Sequence, residues 1–201
     1  MSLRPPELER GHAAALAART AARAAADGLA EVAYTTIDSP LGRLVAVATP
    51  RGLARLAYEL ENGGVDAVLD DVAARLSPAI VEAPARLDAV RRELDEYFDG
   101  RREDFGLAID WALVRTPFTV GVLRATAAIP FGATSTYRDI AAAAGSPAAY
   151  RATGNALGSN PIPIIVPCHR VLASGGKLGG YTGGVERKRT LLAIEGGLLG
   201  V

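Results

Sequence analysis

The chain has one cysteine, Cys168, and two histidines, His12 and His169, in 201 residues. That scarcity excludes a disulfide framework and any structural zinc cluster built from several Cys and His ligands, and it fits a reducing, cytoplasmic setting. No apolar run approaches the roughly 18 residues of a membrane span, so no membrane partner is expected. The glycine-rich stretch from Gly175 to Gly184 lacks the GK[ST] ending of a phosphate-cradling loop and does not open a helix after a strand, so no nucleotide cofactor is expected. No other cofactor and no metal are expected. Hydrophobic residues at 49% and charged residues at 22% exclude a disordered, collagen-like or fibrous chain.

The net charge of zero hides an asymmetry. Residues 1–111 carry 13 arginines against 19 acids, and residues 112–201 carry 9 cations against 3 acids. Such a split fits two unevenly charged solvated faces as well as a basic half that meets a polyanion.

Residues 1–29, Ala- and Arg-rich from 11 to 26, read as a disordered or helical extension. A transit peptide fits them less well, because Glu7 and Glu9 precede the segment. From Val32 to Glu59, period-two apolar positions broken by SPLG and PRG predict a three-stranded antiparallel meander. Val65, Val68, Leu69, Val72 and Leu76 recur at helical spacing, as do Leu87, Val90, Leu94 and Phe98. Strands followed by helices make an α+β unit over residues 30–108, leaving 109–201 as a second domain.

In that second domain a helical pattern through Phe118, Val122 and Ala125 breaks at Ile129-Pro130. Ser135-Thr136 can cap a helix from Tyr137 to Ala144, and Gly145 stops it. Ser146-Pro147 then predicts the start of another helix ending near Leu157, which gives a helix-turn-helix. Most such helix pairs are packing units, although in DNA-binding proteins the second helix enters a groove.

The chemistry concentrates in residues 160–184. Ile164-Ile165-Val166 predicts a short buried strand that Pro167 ends, with Cys168 at its mouth. A free thiol is only a few per cent ionised at neutral pH, and a neighbouring imidazole or Arg170 can raise that fraction. In extended chain His169 points away from Cys168, so it would act through water, and an acid would orient it. Only Asp139, Glu186 and Glu195 follow Trp111. Against this stands the plain alternative of a small buried cysteine, a surface imidazole and a solvated helix end. The glycines allow close backbone approach to a flat ligand, or merely form a loose turn.

The motif Pro167-Cys168-His169-Arg170-Val171, preceded by Asn160-Pro161 and followed by Gly179-x-Tyr181-x-Gly183-Gly184 and Leu191-Leu192-x-x-Glu195-Gly196, resembles the O6-alkylguanine-DNA alkyltransferase family. The resemblance continues upstream through Ile129-Pro130-x-Gly132, Thr136-Tyr137 and Gly145-x-Pro147-x-Ala149-x-Arg151-Ala152-x-Gly154, and reaches the SPLG turn of the first domain. It implies an RNase H-like first domain and a winged-helix, helix-turn-helix second domain. It implies an enzyme that transfers the alkyl group of O6-alkylguanine, and by extension O4-alkylthymine, in double-stranded DNA irreversibly to Cys168. Each molecule would react once, as a monomer, with cooperative binding along DNA an open option. By the same resemblance His169 takes the thiol proton through water, Glu195 orients His169, and Asn160 holds the turn. Tyr137 would touch phosphate and base, and Arg151 would fill the gap left by the flipped nucleotide on a helix that also bears Ala152 and Gly154. Val171, Tyr181 and Thr182 would border the base. Thr119, Leu123 and Thr153 depart from the family pattern as packing changes, Thr153 with a possible effect on the fit to DNA. A related non-transferring lesion sensor characteristically lacks the cysteine, so Cys168 decides against it. The Pro-Cys-His-Arg context and the helix-turn-helix argue against a Cys-His-Glu acyl-transfer enzyme.

Overall fold

The computed structural model describes residues 31–196, so the Ala/Arg-rich extension and His12 lie outside the described residues. Strands β1 (Val32–Ile37), β2 (Leu44–Thr49) and β3 (Gly52–Tyr58) form the expected antiparallel meander. A fourth strand, β4 (Ile80–Glu82), adds parallel to β1 and gives the order β3-β2-β1-β4. Its three residues are too few to show a period, so it leaves no signal in the sequence.

The sheet is covered on both faces. Val45, Val47, Ala54 and Ala57 pack with Val68 and Val72 of helix α1 (Val65–Arg75). Leu44, Ala46, Leu53, Leu56 and Tyr58 face Val90, Leu94 and Tyr97 of helix α2 (Asp88–Phe98) in a core that runs on into the second domain. Strict alternation would send Leu53 and Leu56 to opposite faces. The register shifts between Val47 and Ala48, where Arg55 and Leu53 are the respective partners, and this bulge returns both leucines to one core.

Helix α3 (Pro117–Ala127) opens the second domain with Thr116 as its side-chain N-cap and proline at the first position. Helices α4 (Tyr137–Ala143) and α5 (Tyr150–Gly158) are the helix-turn-helix. Thr136 and Asp139 form a capping box at the start of α4. At its end, Gly145 (φ +77°) and Ser146 donate to the carbonyls of Ala142 and Ala141, a left-handed stop that glycine adopts without strain. Ser146 does not cap α5: its carbonyl accepts from Ala149 in an intervening turn, and α5 begins three residues after Pro147, at Tyr150. Two-residue strands β5 (Ser135–Thr136) and β6 (Val171–Leu172) pair in parallel and tie the entry of α4 to the cysteine segment. Helix α6 (Val185–Ile194) closes the domain. Among the described residues no helix is long and apolar enough to cross a membrane.

One expectation fails where it matters most. Residues 164–166 are not a strand: the chain coils through turns, with Ile164 at φ +74°, and Cys168–Arg170 form one 3-10 turn. Pro161, Pro163 and Pro167 cannot donate to a ladder, so apolarity here reports burial without strand pairing.

Candidate active site

The coiled segment is held from within by Asn160. Its Oδ1 accepts from the Ile162 amide at 3.0 Å, and its Nδ2 donates to the Val166 carbonyl at 2.9 Å and to the Cys168 Sγ at 3.2 Å. Leu56 of β3 donates to the Pro161 carbonyl at 2.8 Å, so the first domain braces the same turn. Cys168 is thereby fixed at the wall of a cavity of about 350 Å³ shared with Tyr137, Gly154, Leu157, Gly158, Gly180, Tyr181 and Thr182. That volume lies in the range of small-ligand sites. A larger cleft of about 700 Å³ between β3, α1 and α5 reaches Asn160 and Thr182 but not the thiol, so the smaller cavity is the one that can host chemistry.

Behind the cysteine lies a buried ionic cluster. His169 Nε2 is 2.9 Å from Glu195 Oε1, and Arg170 donates to both Glu195 oxygens, from Nε at 2.8 Å and from Nη2 at 3.0 Å. Tyr97 adds a hydroxyl donor to Oε1 at 2.6 Å. Burial raises the Glu195 carboxyl, but the hydrogen bonds from His169, Arg170 and Tyr97 outweigh it and bring its pKa down to about 2. The ionised carboxylate only accepts, so Nε2 carries the proton and Nδ1 bears the lone pair. Nδ1 is buried without a protein partner. Burial holds the His169 pKa below the ordinary imidazole value; Glu195 opposes this, and Arg170 and Lys188 reinforce it. The imidazole is therefore neutral and able to accept a proton at neutral pH.

Burial also pushes the Cys168 thiol up, against the Asn160 hydrogen bond and the Lys188 ammonium, which pull it down without prevailing. The resting sulfur is protonated and needs a base. Arg170, expected to favour the thiolate, is instead engaged with Glu195 and with the Ile129 carbonyl at 2.5 Å. The nearby cation is the fully buried Lys188, whose Nζ donates to the Val171 carbonyl at 2.6 Å and to the Gly180 carbonyl at 3.4 Å. Burial lowers its pKa to about 8.

The three acids of the second domain separate by environment. Asp139 caps α4, Glu186 pairs with Arg189 on the surface, and only Glu195 meets the histidine. The basic excess separates likewise: Arg170 and Lys188 are internal and Arg187 pairs with Glu61, while Arg115, Arg124, Arg138, Arg151 and Lys177 are exposed. Arg151 lies on the outer side of α5 beside exposed Ala152, its guanidinium 5.7 Å from the Tyr150 ring centre. Gly154 faces Tyr137, where an added Cβ would meet the ring at 3.8 Å. Val171 is buried and does not line the cavity, unlike Tyr181 and Thr182. Thr153 is also buried, its hydroxyl spent on the Ala149 carbonyl of its own helix at 3.1 Å, so it does not face outward. Leu123 is core, and Thr119 completes the Thr116 cap.

Sequence reasoning missed Tyr97, Lys188 and Tyr58. Tyr58 shares a 3.0 Å hydrogen bond with Tyr181, the wall of the cavity. No motif signals these residues, because each acts across a distance in sequence that only folding closes. Among the described residues no group of three or more His, Cys, Asp or Glu is placed to hold a metal.

Fold and site define a two-domain protein in which a helix-turn-helix stands over a buried cysteine backed by a His-Glu pair. The family model described as "6-O-methylguanine DNA methyltransferase, ribonuclease-like domain" matches residues 32–111, and that described as "6-O-methylguanine DNA methyltransferase, DNA binding domain" matches residues 117–197. A methylated-DNA–protein-cysteine methyltransferase of Methanosarcina barkeri is 37% identical over 81% of this chain and 96% of its own. The Mycobacterium tuberculosis O6-methylguanine methyltransferase structure matches with 38% identity and a TM-score of 0.69, covering 82% of this chain and 92% of that one. The M. tuberculosis OGT, solved in complex with DNA, matches with 39% identity and the same TM-score, over 81% and 92%. The chain belongs to the 6-O-methylguanine DNA methyltransferase family.

Proposed function

We propose that this protein repairs double-stranded DNA by moving the alkyl group of O6-alkylguanine irreversibly to Cys168, once per molecule. The observation that carries the reading is a protonated, buried thiol on a base-sized cavity, together with a neutral imidazole whose free nitrogen has no protein partner.

The Cys168 proton passes through water to His169 Nδ1 while Sγ attacks the alkyl carbon. The bond from that carbon to O6 breaks, its electron pair goes to the guanine, and a proton returned to the base balances the removal from sulfur. A C–S thioether replaces the S–H bond, and no oxidant or cofactor is consumed. Glu195 orients His169 and stabilises its transient charge, as carboxylates do in related triads. Asn160 holds the sulfur in place. The modified oxygen lies within the base stack, so the nucleotide must leave the duplex, at a cost of a few kcal/mol. Tyr137, Tyr181 and Thr182 receive it beside Gly154, and Arg151, exposed next to Ala152 on the same helix, occupies the vacated stack. The working unit is a monomer in the cytoplasm, with residues 30–108 bracing 109–201.

The test is intact-protein mass spectrometry after incubation with a duplex bearing one O6-methylguanine, followed by peptide mapping. A stoichiometric one-methyl gain on Cys168, absent in Cys168→Ser, is the expected result; tight lesion binding without any gain would make the protein a sensor.

A further inference from the structure

Tyr97 sits in the last turn of α2, in the first domain, and its side chain is completely buried. Its ring packs against Phe98, Phe105 and Phe131 at centroid distances of 5.4, 5.3 and 6.2 Å. Its hydroxyl crosses the domain boundary to Glu195, 98 residues away in sequence, at 2.6 Å. Packing alone would be served by phenylalanine, because a buried hydroxyl must find an acceptor or lose about 1–3 kcal/mol.

The acceptor it finds is already supplied. Arg170 gives one N–H to each carboxylate oxygen and a full opposite charge, which satisfies Glu195 without help. The tyrosine is therefore a third donor on Oε1, the oxygen that also receives His169. Each added donor draws charge from that oxygen and weakens its pull on the Nε2 proton, and together they fix the carboxylate plane. We propose that Tyr97 is a positioning residue of the transfer site, its hydroxyl holding the Glu195 carboxylate toward His169 and limiting how strongly that carboxylate favours the imidazolium. This rests on the alkyl-transfer reading and extends it: the first domain completes the relay as well as bracing the fold.

The other groups facing His169 are Cys168 and Arg170 on its own turn, Glu195 after α6, Lys188 on α6, and the Tyr181 ring, edge-on at 6.3 Å. Tyr97→Phe leaves all of them in place and removes one oxygen. Glu195 Oε1 then becomes a stronger acceptor, so the imidazolium is favoured and the base is lost at higher pH.

Two readouts test this. The His169 imidazole is followed by NMR across pH, with His12→Ala removing the other histidine signal, and methyl transfer from O6-methylguanine duplex is followed in single-turnover mode. In Tyr97→Phe both the His169 midpoint and the acid limb of transfer should move up by about half to one pH unit, the equivalent of one hydrogen bond. Difluorotyrosine incorporated at position 97, a stronger donor with the same ring, should move both down, and it keeps the test valid if the phenylalanine variant folds poorly. A slower transfer with both midpoints unmoved would reduce Tyr97 to packing and overturn the proposal. A wild type that never methylates Cys168 would instead refute the transfer reading, and the NMR midpoint would still report on Tyr97.

Discussion

Replacing Asn160 by alanine removes three hydrogen bonds at once and tests whether the turn that presents Cys168 is held by one side chain. The Ile162 amide has Asn160 Oδ1 as its partner and would be left buried, at a cost of about 1–3 kcal/mol. The Val166 carbonyl keeps the Cys168 amide at 2.8 Å, so its loss is only the net value of one bond, about 1 kcal/mol. The strained Ile164, held at φ +74° despite its branched side chain, loses support in the same step. The expected loss is about 2–4 kcal/mol, a large part of the 5–15 kcal/mol typical of a domain. Sγ also loses its donor, so the thiol should ionise at still higher pH and react more slowly. Urea denaturation gives the first quantity, and the pH dependence of reaction with a small disulfide reagent gives the second. A stability change within about 0.5 kcal/mol, the usual range for surface substitutions, or an unmoved ionisation curve would refute this account of the turn.

Glu195 ionises more easily in the fold, at about 2 against an ordinary 4.5, so its contribution is present above its unfolded value and disappears as pH falls through the folded one. Up to about 3 kcal/mol should be lost across that window; an acid-unfolding slope identical in wild type and Glu195→Gln would contradict it. Gly183→Ala would place a Cβ 2.4 Å from Tyr58 and 2.8 Å from Tyr181, displacing the cavity wall, so transfer should slow and stability fall by about 1–3 kcal/mol; unchanged transfer kinetics would show that the wall tolerates movement. Arg151→Ala should impair repair in duplex more than reaction with free O6-methylguanine base, because only the duplex needs its stack held open; equal losses on both would remove that role. The exposed arginines Arg115, Arg124, Arg138 and Arg151 predict a steep salt dependence of DNA binding, with a slope of about −0.9 for each phosphate they meet; filter binding with a flat response would rule out these contacts.

Local signals carried much of this structure. The meander, the first two helices and the Thr136 and Gly145 signals around α4 are written in near-neighbour periodicity and capping chemistry, which act within a few residues. The order Asn160, Cys168, His169, Glu195 was likewise legible, since a motif records which residue types the chemistry requires. Where local apolarity was the only guide it misled: residues 164–166 are buried as a strand would be, yet flanking prolines and the Asn160 side chain coil them instead. The charge split misled in part, because Arg170 and Lys188 look like surface cations in sequence and are internal in space.

The sequence by itself determined the meander and the first two helices of the first domain, the helix-turn-helix and the lone cysteine of the site. Only tertiary structure decided which cation lies near the thiol, and that Tyr97 and Tyr58 of the first domain reach the second. Hydrogen bonds of about 3 Å specify partners that the chain separates by tens of residues, and a linear pattern holds no record of that distance.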